Sequence, residues 1–141
     1  MIAEKTLTQK HVNTIAYQVV GSAIEVHKHL GPGLIESVYQ QCFEKELDLR
    51  NIKYQSQLRV PVTYKGKEVG GHLILDILVE DLIVVELKAV EEMNSLYQAQ
   101  LLSYLKLTNK PKGLLINFNC QNITKNLVPL VTDLFNQLPE E

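Results

Sequence analysis

Two carboxylates interrupt adjacent apolar segments near the middle of this chain. Asp76 sits in Gly71-His72-Leu73-Ile74-Leu75-Asp76-Ile77-Leu78-Val79-Glu80, and Glu86 in Leu82-Ile83-Val84-Val85-Glu86-Leu87-Lys88. Segments this rich in Ile, Val and Leu read as buried strands, where a charge is costly unless it is paired or bound to a metal. Lys88 follows Glu86 by two residues and shares its strand face, because side-chain direction repeats every second residue. The pattern Asp-x9-Glu-x-Lys is suited to holding a divalent cation beside a water molecule, which is the chemistry of phosphodiester hydrolysis.

That chemistry places a condition on the turn between the two strands. In an antiparallel pair, residues facing each other have numbers of constant sum. A three-residue loop, Glu80 to Leu82, makes the sum even and sets Asp76 across from Glu86. A two-residue loop puts them on opposite faces, and the site fails. Facing carboxylates would have Cβ atoms about 4.5–5.5 Å apart. At that separation one carboxyl takes up a proton or a cation sits between them. Mg²⁺ and Mn²⁺ favour such oxygen donors, completed by waters and substrate phosphate. Lys88 could hold the attacking water or stabilise charge on the transition state, and the Leu87 carbonyl could complete the metal shell. The plainer alternative makes Glu86 and Lys88 an ordinary strand ion pair and Asp76 a carboxylate satisfied by backbone amides.

The elements that must position these residues follow from periodicity. Val12, Ile15, Ala16, Val19, Val20, Ala23 and Val26 form one face of a helix from about Lys10 to His29, stopped by Gly31-Pro32-Gly33. A second helix is predicted from Leu34 to Arg50, with Leu34, Val38, Cys42, Phe43 and Leu47 inward. Leu58–Tyr64 alternates as a strand whose Pro61 implies an edge or a bulge. Lys65-Gly66-Lys67 reads as a turn, followed by strands Gly71–Glu80 and Leu82–Ala89. Asn94–Thr108 reads as a helix with Leu101, Leu102 and Leu105 inward, and Lys112–Asn119 as a last central strand. Ile123–Leu138 is ambiguous, since Pro129 argues against one unbroken helix. The expected fold is α/β, a mixed sheet with helices packed on it in two or three layers.

With 141 residues, and with no repeat or linker, one domain over 1–141 is expected. Apolar and charged fractions of 45% and 21% are ordinary for a globular protein, and no apolar stretch is long enough to span a membrane. The segment from Met1 to Thr6 lacks the pattern of a signal peptide. Cys42 and Cys120 make no CxxC unit, so neither a disulfide framework nor a zinc knuckle is indicated, and a cytoplasmic location is expected. A formal charge of −2 speaks mildly against gripping nucleic acid by global electrostatics.

The motifs in combination resemble a known group. Asp76-x9-Glu86-Leu87-Lys88 is similar to the core motif of the PD-(D/E)XK nuclease superfamily, with Leu75 where the name has proline. The element order resembles the superfamily's restriction-endonuclease-like core. Gly33-x-x-Glu36-x-x-Tyr39 resembles the signature of the GxxExxY protein family, and Gln100-x-x-x-Tyr104 a motif of RecB-type nucleases. The resemblance implies Asp76 and Glu86 as metal ligands for Mg²⁺ or Mn²⁺ and Lys88 as the catalytic lysine. It further implies Glu36 as an outer ligand or water-orienting carboxylate, and Gln100 and Tyr104, on one helix face, as contacts to metal-bound water or phosphate.

Each of these residues also has a structural alternative. Glu36 lies where a helix dipole favours a carboxylate, Gly33 could supply a special backbone angle, and Tyr39 reads best as a core aromatic with a bonded hydroxyl. Gln100 and Tyr104 could be a polar stripe. His27 and His29 read as structural or exposed, His72 as a weak rim candidate, and Lys106, Lys110 and Lys112 as a solvated charged face. The leading expectation is a small nuclease acting on nucleic acid, DNA before RNA, with room for a homodimer or a recruiting protein partner. The alternatives are an inactive nucleic-acid- or protein-binding domain of the same fold, and an enzyme for small phosphate esters.

Overall fold

The structure, a computed structural model, describes residues 6–141, so the reading of the segment from Met1 lies, up to Lys5, outside the described residues. Helix α1 (Gln9–Leu30) opens on Thr8, whose hydroxyl accepts from the His11 N–H at 3.1 Å, and closes on Gly31. Helix α2 (Glu36–Leu49) follows, then the long hairpin β1 (Tyr54–Tyr64) and β2 (Lys67–Val79), and β3 (Ile83–Lys88). Helix α3 (Ser95–Thr108) carries the chain to β4 (Lys112–Asn117), which lies parallel to β3. A parallel neighbour needs such a crossover, whereas the other pairs close through short antiparallel connections. A 3₁₀ turn (Ile123–Asn126), β5 (Leu127–Val131) and the short α4 (Asp133–Gln137) complete the chain. Among the described residues no helix is long and apolar enough to cross a membrane.

The five strands lie in sequence order, β1-β2-β3-β4-β5. Helices α1 and α2 cover one face, packing Val12, Val19, Ala23, Tyr39, Phe43 and Leu47 on Ile77, Val79, Val85, Leu87 and Ile116. Helix α3 covers the other with Leu101 and Leu105, against Leu75, Leu78, Val84 and Leu115. The result is the expected mixed sheet in its three-layer form, and the apolar positions assigned to α1 are those that pack.

Three expectations need correction. Helix α2 begins at Glu36, and Leu34 is exposed before it instead of leading its inward face. Cys42 is only half-buried. The strand at Lys112–Asn117 is central but not last, because part of the ambiguous tail forms β5 beside it. Pro129 fits there since β5 is an edge strand, and Pro61 marks the opposite edge, where the β1–β2 register also shifts. Each edge thus carries a residue that cannot donate to a further strand.

Before α2 the chain turns through Gly31-Pro32-Gly33, with φ of +101° at Gly33, an angle that side chains disfavour. Fully buried Tyr39 pins this turn. Its ring stacks on Phe118 at 4.7 Å, while its hydroxyl donates to the Gly31 carbonyl at 2.5 Å and accepts from the Leu34 N–H at 3.2 Å. This is the bonded core aromatic expected at that position. Tyr39→Phe keeps the ring and strands two backbone groups. We expect a loss of about 1–3 kcal/mol in denaturant unfolding, and an unchanged midpoint would show that the hydroxyl does not hold the turn.

Candidate functional site

The β2–β3 connection is the three-residue loop that the carboxylates require. Glu80 and Asp81 both have positive φ, and the Leu82 N–H closes the turn on the Val79 carbonyl at 2.9 Å, the backbone of a hairpin turn matched to strand twist. The pairs Val79–Ile83, Leu78–Val84 and Ile77–Val85 follow in register, so the next position sets Asp76 across from Glu86.

At that position the backbone ladder stops and the carboxylates meet. The Asp76 N–H donates to Glu86 Oε1 at 3.2 Å, and the Leu87 N–H donates to Asp76 Oδ2 at 2.9 Å. The two strands part here, and each carboxylate accepts a backbone N–H from the other strand. Glu86 is 6% exposed. Burial first, then the charge of Asp76 and a side-chain hydrogen bond with it, push the Glu86 pKa well above the carboxylate range, against the opposing pull of Lys88. A pair placed this way takes up one proton or holds one cation.

The surrounding elements bring further groups to the pair. Lys88 extends from the same strand, with Nζ 4.6 Å from the centre of the Tyr97 ring on α3, a cation–π contact that confines the ammonium. Glu36, at the start of α2, feels the same centre. Desolvation and then the Asp76 charge raise its pKa, while Lys88 lowers it. Tyr104 is raised by burial and then by Glu86 and Asp76. Gln100, one turn before Tyr104, is exposed. Among the described residues it makes no hydrogen bond to the carboxylates. Among those residues, too, no cluster of three His, Cys, Asp or Glu side chains closes round one point, so Glu36 stands outside the carboxylate pair.

Two contributors escaped the sequence reading. Gln40, four residues after Glu36, donates from Nε2 to the Asp76 carbonyl at 3.4 Å and accepts from Gln57 Nε2 at 3.1 Å. Gln57 itself has a φ of +49° where β1 passes the parting strands. The spacing of Glu36 and Gln40 on one helix face was the available signal. Tyr97 was the other, seven residues before Tyr104 on α3.

The remaining candidates fall away from this centre. His27 Nε2 bonds the Cys120 carbonyl at 2.7 Å, and His29 is exposed beside Glu25. Lys110 pairs with Asp81 at 2.7 Å, and Lys112 bonds Asn13 at 3.0 Å.

Two acidic oxygen donors facing each other form a donor set that suits Mg²⁺, which is commonly held by one or two carboxylates plus waters and phosphate. The residues present therefore fit a divalent ion. No curated protein and no solved structure matches the chain. Residues 13–128 match the family described as the PD-(D/E)XK nuclease superfamily, and the chain belongs to that superfamily.

Proposed function

We propose that this chain is an Mg²⁺- or Mn²⁺-dependent nuclease that hydrolyses phosphodiester bonds, in DNA before RNA, and that at a finer level it is a GxxExxY protein. The observation that carries the reading is the meeting of Asp76 and Glu86 where the β2–β3 pairing ends, each bonded to an N–H of the other's strand, with Lys88 beside them. A structural ion pair has no use for two carboxylates that meet each other before they meet a cation.

In this reading Asp76 and Glu86 hold the ion, which when bound polarises the phosphate and makes water easier to deprotonate. Lys88, confined over Tyr97, places its ammonium where negative charge grows on the phosphate oxygens. Glu36, its basicity raised by desolvation and by Asp76, accepts a hydrogen from the attacking water. Water forms one P–O bond, the bond to the departing sugar oxygen breaks, and that oxygen leaves with a proton from solvent. Tyr104 and Gln100 donate to the phosphate from α3. Gln40 holds the Asp76 peptide and is a positioning residue.

The test is cleavage of labelled single- and double-stranded DNA and RNA with Mg²⁺ or Mn²⁺, beside Glu86→Ala and Lys88→Ala. Metal-dependent cutting should fall by on the order of 10²–10³ or more in each variant. Equal behaviour of all three proteins, with no cutting of any substrate, would move the reading to a binding domain.

The buried pair also predicts a pH signature. The Glu86 pKa is raised in the folded protein above its ordinary 4.5. Its contribution is therefore full below that value and is lost as pH rises towards the folded pKa. In EDTA, Tm of the wild type should decline over this window. Glu86→Gln should flatten the decline and melt higher at neutral pH. Adding Mg²⁺ or Mn²⁺ should raise Tm of the wild type alone. Parallel pH profiles, or an equal metal response in both proteins, would sink this account.

A further inference from the structure

Beyond Leu58 and Leu75 the hairpin of β1 and β2 leaves the sheet. Strand β2 pairs with β3 only through Ile77–Val79, so residues 58–75 form a two-stranded ribbon. Its base rests Leu58 and Val60 on the α3 side of the core, and most of the rest is in solvent. Between the pairs Pro61–His72 and Thr63–Glu68, two steps on β1 meet four on β2. Gly70 takes up the excess with a φ of +85°, a bulge that re-aims the tip.

The tip reads Tyr64-Lys65-Gly66-Lys67. Tyr64 is 62% exposed, with the Lys65 ammonium 5.4 Å from its ring centre. Arg59, Lys65 and Lys67 are exposed, and among the described residues none of them pairs with a carboxylate. With Glu68 as its only acid, the ribbon carries +2 while the rest of the chain carries −4. An isolated cationic ribbon with an open aromatic on an otherwise acidic protein has the makings of a phosphate-backbone contact, with a ring available for a base.

We propose that this ribbon is a substrate-binding arm that grips the nucleic-acid backbone at a distance from the scissile bond. The arm makes a polynucleotide, not a nucleotide or small phosphate ester, the substrate of the carboxylate site. The inference rests on the nuclease reading and adds a length requirement to it. Lys67 lies nine positions before Asp76, two of them taken up by the bulge. The other seven, at about 3.3 Å each, span up to about 23 Å, or roughly seven base pairs of duplex at 3.4 Å each. Arg59 meets the backbone nearer the site, and Lys65 and Lys67 meet it at the far end.

The test compares the wild type with Arg59→Ala/Lys65→Ala/Lys67→Ala. Binding of a labelled 20-base-pair DNA is followed by anisotropy in EDTA across a salt series, and cleavage is followed on that duplex, on a four-base-pair stem and on bis(p-nitrophenyl) phosphate. The exposed substitutions should leave Tm and its metal-dependent rise unchanged. Affinity should fall on the order of tenfold or more, and the slope of log K against log salt should shrink by roughly 2–3, near 0.9 per lost phosphate contact. Cleavage of the long duplex should fall while the short stem and the small diester are cut equally by both proteins. An unchanged salt slope and affinity would overturn the arm even if the wild type cuts DNA. Equal losses on long and short substrates would overturn the length requirement. No cutting by the wild type, together with tight binding that the triple variant loses, would uphold the arm's contact and sink the nuclease reading.

Discussion

Two carboxyl groups facing each other across a parted strand pair are the constraint around which this molecule is arranged. Asp76 and Glu86 each accept a backbone N–H from the opposite strand. Glu86 is held nearly out of water, where its charge is disfavoured. Such a pair is a poor device for stability. Under the proposed reading a cation would complete it, because the same burial that raises the Glu86 pKa would strengthen attraction to a metal.

Everything adjacent keeps that centre in one geometry. The turn at Val79–Leu82 sets the register, and one residue fewer would send Asp76 to the other face. Helix α2 is fixed at its start by the Tyr39 hydroxyl; Glu36 stands at that start, and one turn on Gln40 reaches the Asp76 peptide. Helix α3 is anchored by Leu101 and Leu105 and presents Tyr97 to the Lys88 ammonium. The site is thus assembled from rigid elements on both faces of the sheet.

Much of this was legible because it follows from periods of 2 and 3.6. The face of α1, the strands around Asp76 and Glu86, and the requirement for an odd loop all come from counting residues. Where counting fails, tertiary context decides. Nothing local tells that Leu127–Val131, with a proline at its centre, is a strand; it becomes one because β4 offers a free edge and Pro129 turns away from any further partner. Leu34 has the spacing of an inward helical residue, yet the Tyr39 hydroxyl takes its N–H and holds it in the turn before α2. The Lys88–Tyr97 contact joins residues of different elements, and no spacing rule reaches across α3 to β3. Gln57 adopts positive φ beside the parting strands, an angle that its residue type does not announce.

Net charge misleads here for a related reason. A formal −2 averages over the whole surface, while contact with a polyanion is made by the part that reaches it. Screening confines the influence of a surface charge to about 10 Å at ordinary salt, so acidic groups on the far side of the sheet have little effect on a strand lying along the ribbon. Close to the scissile bond the logic reverses. In the proposed reading the protein would offer two carboxylates to a phosphodiester there, a repulsive arrangement unless a divalent ion sits between them. Under the proposed reading, a chain that is negative at its carboxylate pair and positive along an arm would let a metal decide when substrate settles into the site, and let the arm decide which substrates are long enough to be held there.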